Sequence, residues 1–399
     1  MTREINTTQS ILTFYDDYIV KEYKDNVINK FSSIKNEIKC ANAFGMNVYA
    51  PEIIKIYNDK SYSLKRYDFD LGNVFGPSVP HIKRMLFTIS LEEFIRQIAE
   101  IKSILIKAKI VHRDINPGNI LFSEKDKCLK LIDFYWAELG NDKFEPASGL
   151  NSIYTSDDNT AFDKIKKDVI SVDAIVKKKI ISDITPLTKH LGEVYLDGSA
   201  ASKGYTYSKI DIPSYFDNNK FHKDTSDEYN LVVNNLSITP NTIMDVGAAS
   251  GYHIFNMMRT FNLDKAIAFE ADPHMFGILN IIKDIFFLNE LELYTALNNV
   301  SQIEPIDIVI FLNSHMWLFK QSQNMANSVT QSLIKNCKEM YFQTAGAESG
   351  GMYQVKSLKS QVNIEKYLYR LGAKNVKLLK TTFKHGGKRH MFKVIGGRG

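Results

Sequence analysis

The chain is poor in cysteine and tryptophan, with three of the first and two of the second in 399 residues. Cys40, Cys128 and Cys337 lie far apart and form no C-x-x-C pair. That excludes a disulfide framework and a cysteine-built zinc or redox site, and the three read as buried thiols of a reducing compartment. No apolar run approaches the length of a membrane span, and the N-terminus MTREINTTQS has no apolar signal core. The expectation is a cytoplasmic protein without a transmembrane segment. Charge of either sign is nearly balanced: 50 Lys and Arg against 45 Asp and Glu leave a formal +5. This suits anionic substrates such as nucleotides but lacks the basic stripe of a dedicated nucleic-acid binder. Residues 1–20 contain no glycine, and there is no internal repeat or low-complexity tract. A hydrophobic content of 44% rules out wholesale disorder.

What is present suffices for two cores. The stretch 11–23, ILTFYDDYIVKEY, is rich in β-branched and aromatic residues, and 27–44 carries apolar residues at helical spacing up to Gly45. EIIKIYND and SYSLKRYDF then read as a hairpin. SLEEFIRQIAEIKSILIKAKI follows as a helix, with Ser90 and Glu93 as a capping box and Phe94, Ile98, Ile101 and Leu105 on one face. From about 226 the texture becomes strand–helix alternation: TIMDV, KAIAFE, IDIVIFLN, EMYFQTA, NVKLL and HMFKVI are strands of a mostly parallel, doubly wound sheet. The expected organisation is a first domain over 1–190, a linker or lid segment over 191–224, and a second domain over 225–399.

VHRDINPGNILF (111–122) and CLKLIDF (128–134) carry the chemistry of the first domain. Transfer of a γ-phosphoryl group needs a carboxylate for the acceptor hydroxyl, oxygen ligands for Mg²⁺, and a cation on the nucleotide phosphates. Asp114 can supply the first, and Asn119 and Asp133 the second. Lys21 ends a strand and Glu37 lies on the next helix, where the two could pair; Lys24 is a near neighbour with the same charge. HRDINPGNIL followed by LIDF resembles the catalytic and metal-binding loops of the protein-kinase-like fold, in its small-molecule and lipopolysaccharide kinase branch. The resemblance covers about residues 10–185 and implies an α+β bilobal domain using ATP and Mg²⁺. It makes Asp114 the catalytic base, Asn119 and Asp133 the metal ligands, and Lys21 with Glu37 the ion pair. It also makes SLKRYDF (63–69) the adenine-binding hinge and Asp168 the residue bracing the catalytic loop. The glycine-rich flap is missing, Tyr135 stands where the family has glycine, and no A-P-E motif follows. A small hydroxylated acceptor is therefore expected rather than a large peptide.

In the second domain, IMDVGAASGYH (243–253) is strand, glycine turn and helix start. Gly247 turns the chain, Gly251 permits close approach, and Asp245 can orient a ligand's amino group. Glu270, 19 residues after Gly251 (270 − 251), can take both hydroxyls of a ribose. A dinucleotide site would end in such an acid as well. The D-V-G-x-x-x-G turn and FEADP resemble the cofactor motifs of class I methyltransferases, over about residues 225–396, which implies an α/β Rossmann-like domain binding S-adenosylmethionine. His315, after IDIVIFLN, reads as a catalytic base or substrate contact, or equally as a structural histidine. KHGGKRH (384–390) is a basic hairpin in which His385 and Arg389 could hold an anionic acceptor, or simply a solvated turn. Tyr205 or Tyr207 could fold over the cofactor, though a tyrosine-rich linker is the plainer reading.

A kinase and a methyltransferase on one chain is similar to the bifunctional enzymes that terminate bacterial O-antigen polysaccharides by phosphorylating a terminal sugar and methylating the phosphate. The resemblance implies a glycan or small-molecule acceptor and work at the inner face of the membrane. The order here, kinase first, departs from that family's. The rival reading is an RNA or protein methyltransferase with an inactive kinase-like regulatory module. A third is a kinase with a domain that only senses S-adenosylmethionine.

Overall fold

The computed structural model describes residues 3–24, 34–140, 157–188, 205–295, 304–345 and 355–399, with short breaks at 8–9, 46, 59, 74–75, 209, 213–214, 216–219, 224, 356, 359 and 385–386. The chain divides into two compact units, Met1–Lys178 and Lys179–Gly399. No helix among the described residues is long and apolar enough to cross a membrane.

The first unit opens with strands β1 (Arg3–Asn6), β2 (Ser10–Phe14) and β3 (Tyr18–Tyr23), then helix α1 (Ile34–Phe44), then β4 (Ile53–Ile56) and β5 (Ser61–Lys65). The strands form an antiparallel sheet in the order β1-β2-β3-β5-β4. The two-residue period of β3 turns Lys21 and Tyr23 to the buried side and leaves Glu22 outside. A lysine so placed must find anions, and that requirement organises the site.

Short strands β6 (Phe69–Asp70), β7 (Gly72–Asn73) and β8 (Gly76–Pro77) lead into α2 (Val79–Thr88) and α3 (Leu91–Lys107). Ser90 caps α3 by accepting the Glu93 N–H at 3.0 Å. Phe94, Ile98, Ile101 and Leu105 make its buried stripe, each worth about 1.5–3 kcal/mol of burial. Then come β9 (Ile110–Val111), β10 (Ile120–Ser123), β11 (Cys128–Leu131) and β12 (Glu138–Leu139). Hairpin β10–β11 carries Asn119 just before its first strand and Asp133 just after its second. Helix α4 (Asp158–Asp183) follows.

The second unit has a parallel pair, β13 (Tyr205–Ser208) and β14 (Lys220–Lys223), then α5 (Ser226–Asn234), β15 (Thr242–Val246), α6 (Tyr252–Thr260), β16 (Lys265–Phe269), α7 (Pro273–Phe286), β17 (Leu291–Tyr294), β18 (Ile306–Leu312), α8 (His315–Gln321), α9 (Gln323–Asn336), β19 (Cys337–Ala345), α10 (Gln361–Arg370), β20 (Asn375–Lys384) and β21 (Gly387–Ile395). Strands β15 to β21 form one sheet in the order β17-β16-β15-β18-β19-β21-β20. The first five are parallel, and β21 runs antiparallel to both neighbours. Every residue of β18 is buried, as a central parallel strand covered on both faces requires. The chain leaves β15 toward β16 on one side and returns through β18 on the other. The switch point thus lies between the carboxyl ends of β15 and β18, where such sheets hold ligands.

Candidate active sites

In the first unit, the Lys21 ammonium lies between two carboxylates, Glu37 Oε1 at 3.2 Å and Asp133 Oδ1 at 2.7 Å. Burial works to lower the Lys21 pKa, but the two anions outweigh it and raise it. Burial likewise works to raise Asp133, and Lys21 holds it below the usual carboxylate range. Lys24 points elsewhere, donating to the Thr7 carbonyl. The Tyr23 hydroxyl donates to Glu37, and Lys21 Nζ lies 4.8 Å from the centre of the Tyr23 ring. Tyr135 stacks on that same ring at 4.8 Å and 22°. Asp133 sits at φ 62°, in left-handed backbone, and starts the 3-10 turn Phe134–Trp136.

Asp114 follows Arg113, itself at φ 66°. Its carboxylate accepts from Asn116 Nδ2 at 3.0 Å and from Asn119 Nδ2 at 2.9 Å. Asn116 also caps the 3-10 turn Pro117–Asn119, its Oδ1 accepting the N–H groups of Gly118 and Asn119. Burial, aided by the charge of Asp133, pushes Asp114 up to about 6 against the pull of the two amides. The Asn119 carbonyl accepts the Ile132 N–H at 3.0 Å, which ties it to the residue before Asp133. With its amide nitrogen spent on Asp114, Asn119 keeps its side-chain oxygen as the group able to ligate a cation. Among the described residues no three His, Cys, Asp or Glu side chains cluster as a metal site. Asn119 Oδ1 and the Asp133 carboxylate are hard oxygen donors of the kind that Mg²⁺ takes together with phosphate and water.

The brace of this loop is Asp158, not Asp168. Its carboxylate accepts the His112 N–H at 2.6 Å and the Arg113 N–H at 2.9 Å, whereas Asp168 pairs with Lys164 at 3.4 Å. His112 is fully buried and its Nε2 lies 3.0 Å from the Ile132 carbonyl. In the hinge stretch, Lys65, Arg66 and Asp68 already spend their N–H groups on the carbonyls of Glu52, Asp17 and Phe122. The turn from β1 to β2 is closed by Thr7 and Ser10, each donating its N–H to the other residue at 2.8 Å.

In the second unit Gly247 (φ +80°) lies at the end of β15, and a Cβ there would stand 1.8 Å from Ser314 Oγ. Only glycine serves at such a place. Glu270, at the end of β16, reaches across to this turn: its oxygens accept the Ala249 N–H at 2.7 Å and the Asp272 N–H at 2.8 Å. Asp245 is 2% exposed and its Oδ2 has no hydrogen-bond partner among the described residues. Burial, then the charge of Glu270, push it up to about 8, opposed by a backbone hydrogen bond from Ile254. A buried carboxyl with an orphan oxygen beside a glycine turn fits a ligand bearing a cationic amino group. Gly251 (φ +90°) packs against the Phe255 ring.

His315 does not face this edge. Strand β18 stops at Leu312, Asn313 takes φ 65°, and His315 becomes the first residue of α8, turned into the core. It is fully buried among Phe311, Phe319 and Phe342. Its ring nitrogens lie 3.0 Å from Thr344 Oγ1 and 2.9 Å from the Tyr367 hydroxyl. Burial drives its pKa down to about 3. It is a satisfied structural histidine, which corrects the reading of it as a base. Arg389, on β21, donates from Nη1 to Asn313 Oδ1 at 2.7 Å. His385 lies outside the described residues.

No family model and no curated protein matches the sequence. Among solved structures the chain is similar to the bifunctional kinase–methyltransferase WbdD. There the identity is 12% and the TM-score 0.40, over 48% of this chain and 44% of that one. It is similar also to the N-terminal domain of EvdMO1 with SAH bound (9% identity, TM-score 0.37, 47% of this chain and 90% of that one). A third is magnesium protoporphyrin IX methyltransferase from Synechocystis PCC 6803 with bound SAM (15%, 0.32, 43% and 77%). The chain spans less than half the length of WbdD. The roles of individual side chains rest on their own geometry.

Proposed function

We propose that the chain is a bifunctional transferase. The first unit phosphorylates a hydroxyl of a small or glycan acceptor from Mg·ATP, and the second transfers a methyl group from S-adenosylmethionine, to the phosphate so made. The carrying observation is the buried Lys21 held between Glu37 and Asp133 with Asp114 on the adjoining turn. A purely structural pair would not need the second carboxylate, nor a third acid pushed up to about 6 nearby.

In this reading Asp114 accepts the proton of the acceptor hydroxyl as its oxygen bonds to the γ-phosphorus and the bond to the ADP oxygen breaks. Lys21 holds the nucleotide phosphates, and Asn119 with Asp133 would hold Mg²⁺, which neutralises phosphate charge. In the second unit Asp245 and Glu270 would hold the amino and ribose ends of S-adenosylmethionine, whose sulfonium makes its methyl group electrophilic. A phosphate oxygen already carries the electron pair it donates. No base is then required, which suits a unit whose His315 is sealed in the core.

The setting we propose is surface-polysaccharide modification or chain termination. Incubation with labelled ATP, methyl-labelled S-adenosylmethionine and candidate glycans should place both labels on one product. Methyl transfer to RNA or protein that survives Asp114→Ala would instead support a methyltransferase with an inactive kinase-like module. The turn at Thr7 and Ser10, where a glycine flap is usual, is the feature favouring that rival.

A further inference from the structure

Arg113 stands between the buried His112 and Asp114, in left-handed backbone at φ 66°. A residue with a Cβ keeps that conformation only where its surroundings fix it. Asp158 fixes the main chain by accepting the His112 and Arg113 N–H groups. The side chain has an anchor of its own. The Arg113 guanidinium pairs through Nη2 with Glu138, a buried residue of β12. Arg113 Nε is buried with no hydrogen-bond partner among the described residues.

Glu138 ends a short segment that touches each part of the first site. Asp133 meets Lys21 at 2.7 Å. Tyr135 stacks on Tyr23, whose hydroxyl donates to Glu37. The Ala137 carbonyl accepts Asn36 Nδ2 at 2.9 Å, one residue before Glu37 on α1. Glu138 then holds Arg113, one residue before Asp114, and its backbone pairs with Val111 of β9. Residues 133–138 therefore join β3, α1 and the catalytic turn.

Charge gives the last of these contacts its meaning. While the guanidinium is paired with Glu138, the Asp114 carboxylate is left to the neutral amides of Asn116 and Asn119. Without Glu138 the cation would stand unmatched beside Asp114, and a guanidinium is a strong competitor for a carboxylate.

We propose that Glu138 is a positioning residue for phosphoryl transfer: it holds the Arg113 guanidinium off Asp114 and so keeps that carboxylate open to the acceptor hydroxyl. The assignment rests on the phosphoryl-transfer reading of the first unit. It adds a residue that lies outside both sequence motifs of the site, 111–122 and 128–134.

The test uses the full chain with Mg·ATP, water standing in for the acceptor hydroxyl. Glu138→Gln should lower kcat for ATP hydrolysis about 10- to 100-fold, the scale of a misaligned reacting group. Its Kd for Mg·ATP, read by calorimetry, should stay at the parent value, because Lys21 and Asp133 are untouched. Arg113→Gln removes the cation itself and should be the more active of the two single variants. Added to Glu138→Gln, it should raise kcat back to the level of Arg113→Gln alone, a non-additive pair that mere loss of fold would not give. An unchanged kcat in Glu138→Gln overturns the proposal, as does a double variant slower than either single one. Loss of Mg·ATP binding in Glu138→Gln also overturns it, by making Glu138 a support of the whole site. A parent chain that transfers phosphate neither to water nor to a candidate glycan overturns the phosphoryl-transfer reading instead. Amide exchange over residues 111–116 then decides the anchor separately: faster exchange in Glu138→Gln upholds it, and equal exchange removes it.

Discussion

Half-buried Asp114 and buried Asp245 are two carboxyls with raised pKa values and opposite expected signatures. Asp114 must be ionised to take a proton, so acceptor phosphorylation should rise with pH and level off above about 6. Asp114→Asn should remove that limb and cost about 10²–10⁴ in kcat. Asp245 acts on stability. Its folded pKa of about 8 lies above the unfolded value, so between roughly pH 4 and pH 8 the folded state binds more protons and stability falls as pH rises. Asp245→Asn should flatten that slope in ligand-free protein followed by thermal unfolding. An unchanged slope would mean the carboxyl is better solvated than its 2% exposure implies. Asp114, Asn119 and Asp133 were legible in the sequence because a turn and a hairpin keep them close along the chain. Asp158 was not. It reaches His112 from 46 residues away, and 157–168 offers several aspartates of equal local merit. His315 was misplaced at the strand's end because β18 stops at Leu312, the chain bends through Asn313 in left-handed backbone, and α8 begins at His315 itself.

At the level of elements, α3 and the strands of the second sheet follow from capping and periodicity. The insertion of β21 between β19 and β20 does not, because antiparallel return of the last strand is decided by packing across the whole sheet. That insertion sets Arg389 opposite both Ala345 of β19 and Thr382 of β20, a juxtaposition no local pattern contains. Two loops carry element-scale tests. Asp158→Ala leaves the His112 and Arg113 N–H groups without their acceptor, at about 1–3 kcal/mol for a buried donor. Phosphoryl transfer should fall while S-adenosylhomocysteine binding by the same protein stays unchanged. Gly247→Ala sets a Cβ into Ser314 and strains a positive φ. Cofactor binding should be lost, and pairing the change with Ser314→Gly should recover part of it; no recovery would locate the damage in the backbone alone. The stack of Tyr135 on Tyr23 pins the Asp133 segment against β3. Tyr135→Gly should raise amide exchange over residues 132–136 selectively.

Across the whole molecule, two chemically distinct sites on one chain make a statement about order. If the phosphate is made first, Asp114→Asn should abolish methyl incorporation into an unphosphorylated acceptor yet leave it intact on a phosphorylated one. Mixing Asp114→Asn protein with Gly247→Ala protein should restore the doubly labelled product. Failure of the mixture with free acceptor would show that the intermediate is not released. The cysteines add a means of watching the units separately. Cys40 and Cys128 are buried in the first and Cys337 in the second, where burial pushes its thiol up to about 12. None can meet a thiol reagent until its own surroundings open. Modification rates at the three positions, resolved by peptide mass, are therefore three clocks already built into the native chain. Two report the opening of the first unit and one that of the second, and a ligand of either site should slow only the clocks of the unit it occupies.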